Sequence, residues 1–240
     1  MSSEAITISA DAAGLGHHGH VAHQFDDAAQ QKHAGILGMW TFLATEVLFF
    51  GAIFVSYAIF RSAYHTAFTA GTHQLDRVVG LINTCVLLCS SLSMALGVHA
   101  AATSRRKALI GWLIVTMIFG TAFLGVKAYE YSTEWHHGLV PVLKWEYGAD
   151  HPFTGHDGTV LAGREIDRLK LFFVFYFTMT ALHALHMIVG LGVLATLVVM
   201  AWRGKFSAAY HNPVEISGLY WHFVDIVWVF LYPMLYLLLH

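Results

Sequence analysis

Five stretches of the chain, roughly 35 to 60, 78 to 102, 108 to 131, 171 to 202 and 216 to 239, are continuously apolar, and polar or charged residues separate each from the next. A helix needs ~20 mainly apolar residues to cross ~30 Å of hydrocarbon, and every run meets that length. Strands are excluded by the same pattern: barrel strands alternate apolar with polar residues and last only ~10 positions. In lipid, helices satisfy their own backbone groups, so the expected fold class is all-α, a polytopic membrane protein built as a bundle of five transmembrane helices. The fourth run would reach ~48 Å at helical rise, so it should tilt or project beyond the bilayer.

Residues 1–34 read as a polar tail with His17, His18, His20 and His23 followed by Asp26 and Asp27. A solvated tail and an adventitious metal binder both fit that composition. No signal peptide precedes Gly35, because a basic start, a short apolar core and a cleavage site are all missing. The five-helix domain then spans 35–239, with one long outer loop at 132–170 that carries Trp135, Pro141, Trp145 and Pro152. Arg105, Arg106 and Lys107 crowd the second short loop, and Arg203 and Lys205 follow the fourth helix. The positive-inside rule places these on the cytoplasmic side, which gives a cytoplasmic N-terminus and an outside C-terminus.

Composition sharpens the class. Of 240 residues 57% are hydrophobic and only 12% charged, about half the usual charged share of a soluble domain. The formal charge of -2 leaves no basic field to hold nucleic acid, so nucleic acid is set aside as a partner. Cys85 and Cys89, four apart in an apolar run, read as small packing residues.

Ionisable residues inside the runs are costly and therefore informative. Glu46 falls ~16 Å into the first helix, and His183 and His186 lie three apart near the middle of the fourth. Asp225 reaches a similar depth in the fifth. These four define an expected carboxylate and imidazole layer, with Asp225 holding its helix through a buried hydrogen bond. Three readings stay open for the layer: helix-holding hydrogen bonds, a metal or haem site, and a proton-handling or lipid-binding site. A metal site is disfavoured because the second Glu-x-x-His copy of a di-iron bundle is missing, and no metal is expected. Asn83, Thr84 and His222 are assigned to helix packing. Lys127 and Glu130, three apart, are expected to pair at headgroup level. Phosphate loops, haem-attachment motifs and nucleophile elbows are absent, so no catalytic residues are assigned.

The motifs taken together resemble subunit III of the haem-copper respiratory oxidases, the cytochrome c oxidase type. Gly38-Met-Trp-Thr-Phe-Leu-Ala-Thr-Glu-Val-Leu-Phe-Phe-Gly51 is similar to the family segment whose glutamate reacts with carbodiimide, a role that would fall on Glu46. Leu81-Ile-Asn-Thr-Cys85 resembles the family's Leu-Asn-Thr helix, and Lys127-Ala-Tyr-Glu-Tyr131 its Glu-Tyr ending. His183-Ala-Leu-His-Met-Ile-Val-Gly190 resembles its His-Gly-Leu-His signature, with Ala184 where Gly is common. Tyr220-Trp-His-Phe-Val-Asp-Ile-Val-Trp-Val-Phe-Leu-Tyr232 is the most specific match.

The resemblance implies an accessory subunit without a redox centre, packed against subunit I and associated with subunit II and other chains of the complex. Haem and copper would then belong to partner subunits of an aerobic electron-transport enzyme in a bacterial plasma membrane, and this chain would carry no cofactor beyond bound phospholipid. Family members stabilise subunit I, support its proton supply and bind lipid in a cleft beside two further N-terminal helices, which this chain lacks. Subunit III of a quinol oxidase and the nitric oxide reductase accessory subunit are the near alternatives. A proton-coupled transporter, the alternative of another class, would need inverted repeats and broken helices that the five unbroken runs do not offer.

Overall fold

The computed structural model describes residues 28–141, 143–148, 151–155, 158–207 and 210–238. The His17 to His23 stretch, Asp26 and Asp27 lie outside these residues. Five long helices form the body: α1 (Ala28–Ala63), α3 (Arg77–Ala102), α4 (Arg106–His136), α5 (Arg164–Trp202) and α6 (Asn212–Tyr232), with the short α2 (His65–Gln74) between the first two. Each of the five is long and apolar enough to cross a membrane.

The helices overrun the apolar runs. α1 begins at Ala28, seven residues before Gly35, because polar residues there find partners at the end of the bundle. Lys32 pairs with Glu215 at 3.3 Å, and Glu215 also meets His211 at 3.0 Å. α4 continues to His136 and α5 starts at Arg164, which shortens the outer loop to 137–163. Two small antiparallel hairpins occupy that loop, β1 (Leu139–Val140) with β2 (Lys144–Trp145), and β3 (Phe153–Thr154) with β4 (Val160–Leu161). Gly138, at φ +69°, turns the chain from α4 into the first of them.

α2 was not expected, since Phe68 is the one large apolar residue among its ten and none is Asp, Glu, Lys or Arg. It forms because Phe68 is buried against Tyr57 and Phe172, at ring-centroid distances of 5.5 and 5.6 Å. Gly71 lets the Phe172 ring lie against the α2 backbone, where a Cβ would come 2.3 Å from it. The next helix starts cleanly: Asp76 caps α3, its Oδ1 accepting from the Val78 and Val79 amides at 2.9 and 3.1 Å.

The last helix also departs from a plain α-helix. Pro233 has no N–H to continue the ladder, and residues Pro233–Leu237 follow as a π-helical turn. The turn frees carbonyls that α1 uses: Tyr57 donates its hydroxyl to Met234 O at 3.1 Å, and Arg61 donates to Leu238 O.

α3 and α4 pack most extensively, α6 lies against α3, α4's partner α5 and α1, and α1 touches the rest least. Trp221 is the deepest joint. A Cβ on Gly120 of α4 or on Gly190 of α5 would each stand 2.9 Å from its indole, so the ring occupies a slot that two glycines leave. Its Nε1 donates to Ser90 Oγ of α3 at 3.1 Å. The outer surface of the bundle is apolar, with Leu37, Leu48, Val55 and Ile59 on α1 and Leu185 and Ile188 on α5 among its exposed residues.

The slot predicts an asymmetry among glycines. Gly190→Ala should destabilise the bundle by about 1–3 kcal/mol, because the indole has no room to retreat. Gly192→Ala, with nothing within 4 Å of its Cβ, should leave it unchanged. Thermal unfolding of the two variants in one detergent checks the contrast; equal midpoints would reject the slot.

Candidate functional site

The four residues of the expected layer do not gather into one cluster. Glu46 of α1 and His186 of α5 meet, with Nε2 3.2 Å from Oε2. His183, one turn away on α5 and about 60° round the helix, points towards α4 and α6 and is 1% exposed, packed edge-on against Phe123 at 5.3 Å and tilted against Trp228 at 5.1 Å. Neither of its ring nitrogens has a hydrogen-bond partner, and Lys127 and His186 are its titratable neighbours. Asp225 of α6 is 3% exposed, with the Ser91 hydroxyl of α3 as its polar neighbour. The Ser91 hydroxyl beside it is engaged with His222 Nδ1 at 2.7 Å. The tie across α3 and α6 therefore centres on Ser91, which meets His222 and stands beside Asp225.

Donor and acceptor roles constrain the Glu46–His186 pair. His186 Nδ1 lies 2.8 Å from Leu182 O, and a carbonyl only accepts, so Nδ1 carries hydrogen. The Nε2 contact is then satisfied by imidazolium facing carboxylate or by imidazole facing carboxylic acid. Both forms hold one proton between the two groups and have no net charge, which suits apolar surroundings. Phe50 braces the imidazole edge-on at 5.3 Å, and Tyr220 donates to His186 O at 2.9 Å. The side chains remain 17% and 16% accessible, so the pair sits at the seam of α1 and α5, reachable from outside the bundle.

Lys127 and Glu130 pair at 2.9 Å inside the bundle, with side chains 4% and 8% accessible. Two tyrosines draw them inward. Lys127 also donates to Tyr176 and Tyr236 hydroxyls at 3.3 and 3.0 Å, and both hydroxyls donate to Glu130 Oε1, Tyr176 at 2.8 Å. The ammonium further lies 5.0 Å from the Tyr176 ring centre and 5.2 Å from that of Trp228. Glu134, one turn on, is buried with these as its charged neighbours. Sequence spacing showed the i,i+3 pair; the tyrosines, 49 and 109 residues from Lys127, gave no local signal.

The packing residues join helices in two ways. Thr84 donates to Gly80 O at 2.8 Å and accepts from Trp228 Nε1 at 3.0 Å, which ties α3 to α6. Asn83 reaches Phe123 O of α4 at 3.5 Å. Among the described residues, no three His, Cys, Asp or Glu side chains converge as a metal site. Cys85 and Cys89 are both free and exposed.

The buried quartet yields a stability prediction. Glu130→Gln leaves the Lys127 ammonium uncompensated in the interior and should cost about 3–5 kcal/mol. Replacing both, Lys127→Met with Glu130→Leu, should cost less than the single change, since no buried charge is left over. Denaturant or thermal unfolding of these proteins together with the singles Lys127→Met and Glu130→Leu decides it; a double variant as unstable as the sum of its two singles would reject the coupling.

Comparison with known proteins matches this arrangement to a family. The profile described as cytochrome c oxidase subunit III matches residues 17–137 and 170–239, skipping the hairpin loop. Cytochrome c oxidase subunit 3 of Thermostichus vulcanus is 28% identical over 214 residues, covering 89% of this chain and 92% of the relative. Cytochrome bo(3) ubiquinol oxidase subunit 3 of Pseudomonas aeruginosa is 26% identical over 219 residues, 91% of each. Cytochrome c oxidase subunit 3 of Sus scrofa is 30% identical over 211 residues, which are 83% of this chain and 67% of the longer pig protein. With a family match through all five long helices, this multi-pass membrane chain belongs to the cytochrome c oxidase subunit III family and is part of a haem-copper oxidase.

Proposed function

We propose that the chain is the accessory, non-redox subunit of a proton-pumping oxidase that takes electrons from cytochrome c, and that it serves the catalytic subunit by structural support and proton supply. The observation that carries this reading is the Glu46–His186 pair: one proton held between two groups, mid-helix, at a seam open to the outside of the bundle. A neighbouring subunit docked on that seam would face a ready proton donor and acceptor. Subunit I is the expected occupant, with subunit II and other chains completing the complex. Haem and copper belong to those partners, and phospholipid fills the apolar grooves, such as one of 650 Å³ between α4 and α5.

The chain sits in a bacterial plasma membrane with its N-terminus in the cytoplasm and its C-terminus outside. Arg105, Arg106 and Lys107 at the α3–α4 turn and Arg203 and Lys205 after α5 support this orientation by their positive charge. A quinol oxidase is the second reading, favoured by similarity to the Pseudomonas aeruginosa ubiquinol oxidase subunit 3. Reduction of the purified complex by cytochrome c but not by quinol supports the first reading; the reverse result replaces it with the second.

The role of Glu46 has its own test. In the intact complex a hydrophobic carbodiimide should label this chain, and Glu46→Gln should abolish the label. That variant should keep the haem spectrum while losing activity faster during turnover. Wild-type protein that resists the reagent, or a variant with altered haem absorption, would overturn the assignment.

A further inference from the structure

α1 and α6 touch at two levels and part between them. At the Lys32–Glu215 end a Cβ on Gly35 would stand 3.0 Å from Ile216 Cδ1, so the two helices are in contact there. Further along, the Phe50 and Phe223 rings meet at 6.5 Å. Between these contacts lies a groove of 570 Å³, with Trp40, Leu43 and Val47 on one wall and His222, Phe223 and Ile226 on the other. That volume is the size of a small-molecule site.

His222 gives this apolar surface its hydrogen-bonding capacity. Its Nδ1 lies 2.7 Å from Ser91 Oγ of α3, and Asp225 stands beside the same hydroxyl. Nε2 is the ring nitrogen left for the groove. Where Ser91 gives its hydrogen to Nδ1, Nε2 carries the imidazole's own hydrogen and donates; where Nδ1 donates to Ser91, the hydroxyl turns its hydrogen toward Asp225 and Nε2 accepts. A carbonyl and a hydroxyl can both be recognised. Counted from Lys32 and Glu215, Trp40 and His222 lie eight and seven residues along their helices, ~12 and ~10 Å at helical rise. A phospholipid keeps its polar group at the surface, so its acyl chain would leave Nε2 unpaired in hydrocarbon. A membrane helix does not fit either: the wall from Trp40 to Leu48 spans ~12 Å, less than half of the ~30 Å that such a helix crosses. The groove between α4 and α5 offers no ring nitrogen, and its Thr121 donates to Met117 O at 2.8 Å.

We infer that the α1–α6 groove binds a quinone-class molecule, a flat ring with carbonyls or hydroxyls on an apolar tail, and that His222 Nε2 bonds one ring oxygen. Trp40 and Phe223 supply aromatic walls for the ring, and the exposed Leu48 and Ile226 at the groove edge meet the tail. The site holds the ring and performs no chemistry on it. Glu46 turns to His186 of α5, so the groove is separate from that pair. Its occupancy does not depend on which electron donor the complex oxidises.

The test uses the whole oxidase complex with four forms of this chain: wild type, Ala44→Phe, His222→Leu and Val55→Phe. Ala44 lines the groove and is exposed, so a phenyl group there fills the space without entering the core. Val55, exposed on α1 beyond the groove, is the matched control. An azido-ubiquinone is photolysed on each complex and the labelled peptides are read by mass spectrometry, with decylubiquinone or phosphatidylglycerol as competitor. The label is expected on residues 40–48 or 219–226, displaced by decylubiquinone and not by phosphatidylglycerol. It should drop about tenfold in Ala44→Phe and His222→Leu, while Val55→Phe keeps it. If His222→Leu does not assemble, the contrast between Ala44→Phe and Val55→Phe decides. No label on these segments, displacement by phosphatidylglycerol, or equal label in Ala44→Phe and Val55→Phe would each overturn the inference, as would a His222→Leu complex that labels like wild type.

Discussion

The bundle depends on α6, which reaches every other long helix with a different side chain. Trp221 enters the slot between Gly120 and Gly190 and bonds Ser90; Trp228 bonds Thr84 and stacks edge-on against Phe123 at 4.8 Å. Tyr220 bonds the α5 backbone, and Phe223 meets Phe50 of α1 at 6.5 Å. In lipid there is no hydrophobic drive between helices, so association rests on close packing and on polar groups finding each other. Small residues on α4 and α5 and large amphipathic ones on α6 meet both demands at once. That is why the densest run of family-like residues, Tyr220 to Tyr232, is also the run whose replacement would disconnect the most neighbours.

The π-helical turn after Tyr232 extends the same logic outward. The last carbonyls of a helix have no partner within it. Here they accept from Tyr57 and Arg61, and Tyr236, carried on the turn, reaches Glu130 in α4. The α1 helix, otherwise the least packed of the five, is thereby pinned at one end by the turn and at the other by Lys32 on Glu215. Between those ends its polar link to α5 is Glu46 on His186.

Much of this was legible in the sequence because hydrophobic length is a strong signal: five apolar runs became five helices, with boundaries extended by polar residues that found partners at the bundle ends. α2 was not legible, since its stability comes from Phe68 packing against residues far along the chain. Depth along a helix could be counted, so Glu46, His183, His186 and Asp225 could be placed at similar heights. Azimuth could not. Three residues of separation on α5 turn His183 and His186 to different neighbours, one to a dry aromatic pocket and one to Glu46. The inward position of Lys127 was missed for a related reason: the two tyrosine hydroxyls that hold it lie on other elements, and no periodicity on α4 announces them.

The two glutamate–base pairs of the chain show how environment, not residue type, separates scaffold from function. Glu130 and Lys127 are enclosed by Tyr176, Tyr236 and Trp228, and Glu130 accepts at both oxygens. A proton leaving that group would strand a charge in a closed interior, so its design favours permanence. Glu46 and His186 have one bond between them, one brace on the imidazole and a side open to whatever covers the α1–α5 seam. Moving a proton across that contact converts one neutral pair into another, which requires little rearrangement of the surroundings. Of the two, the seam pair alone combines a contact that can share a proton with access from outside, and that combination is what the proposed accessory role draws on.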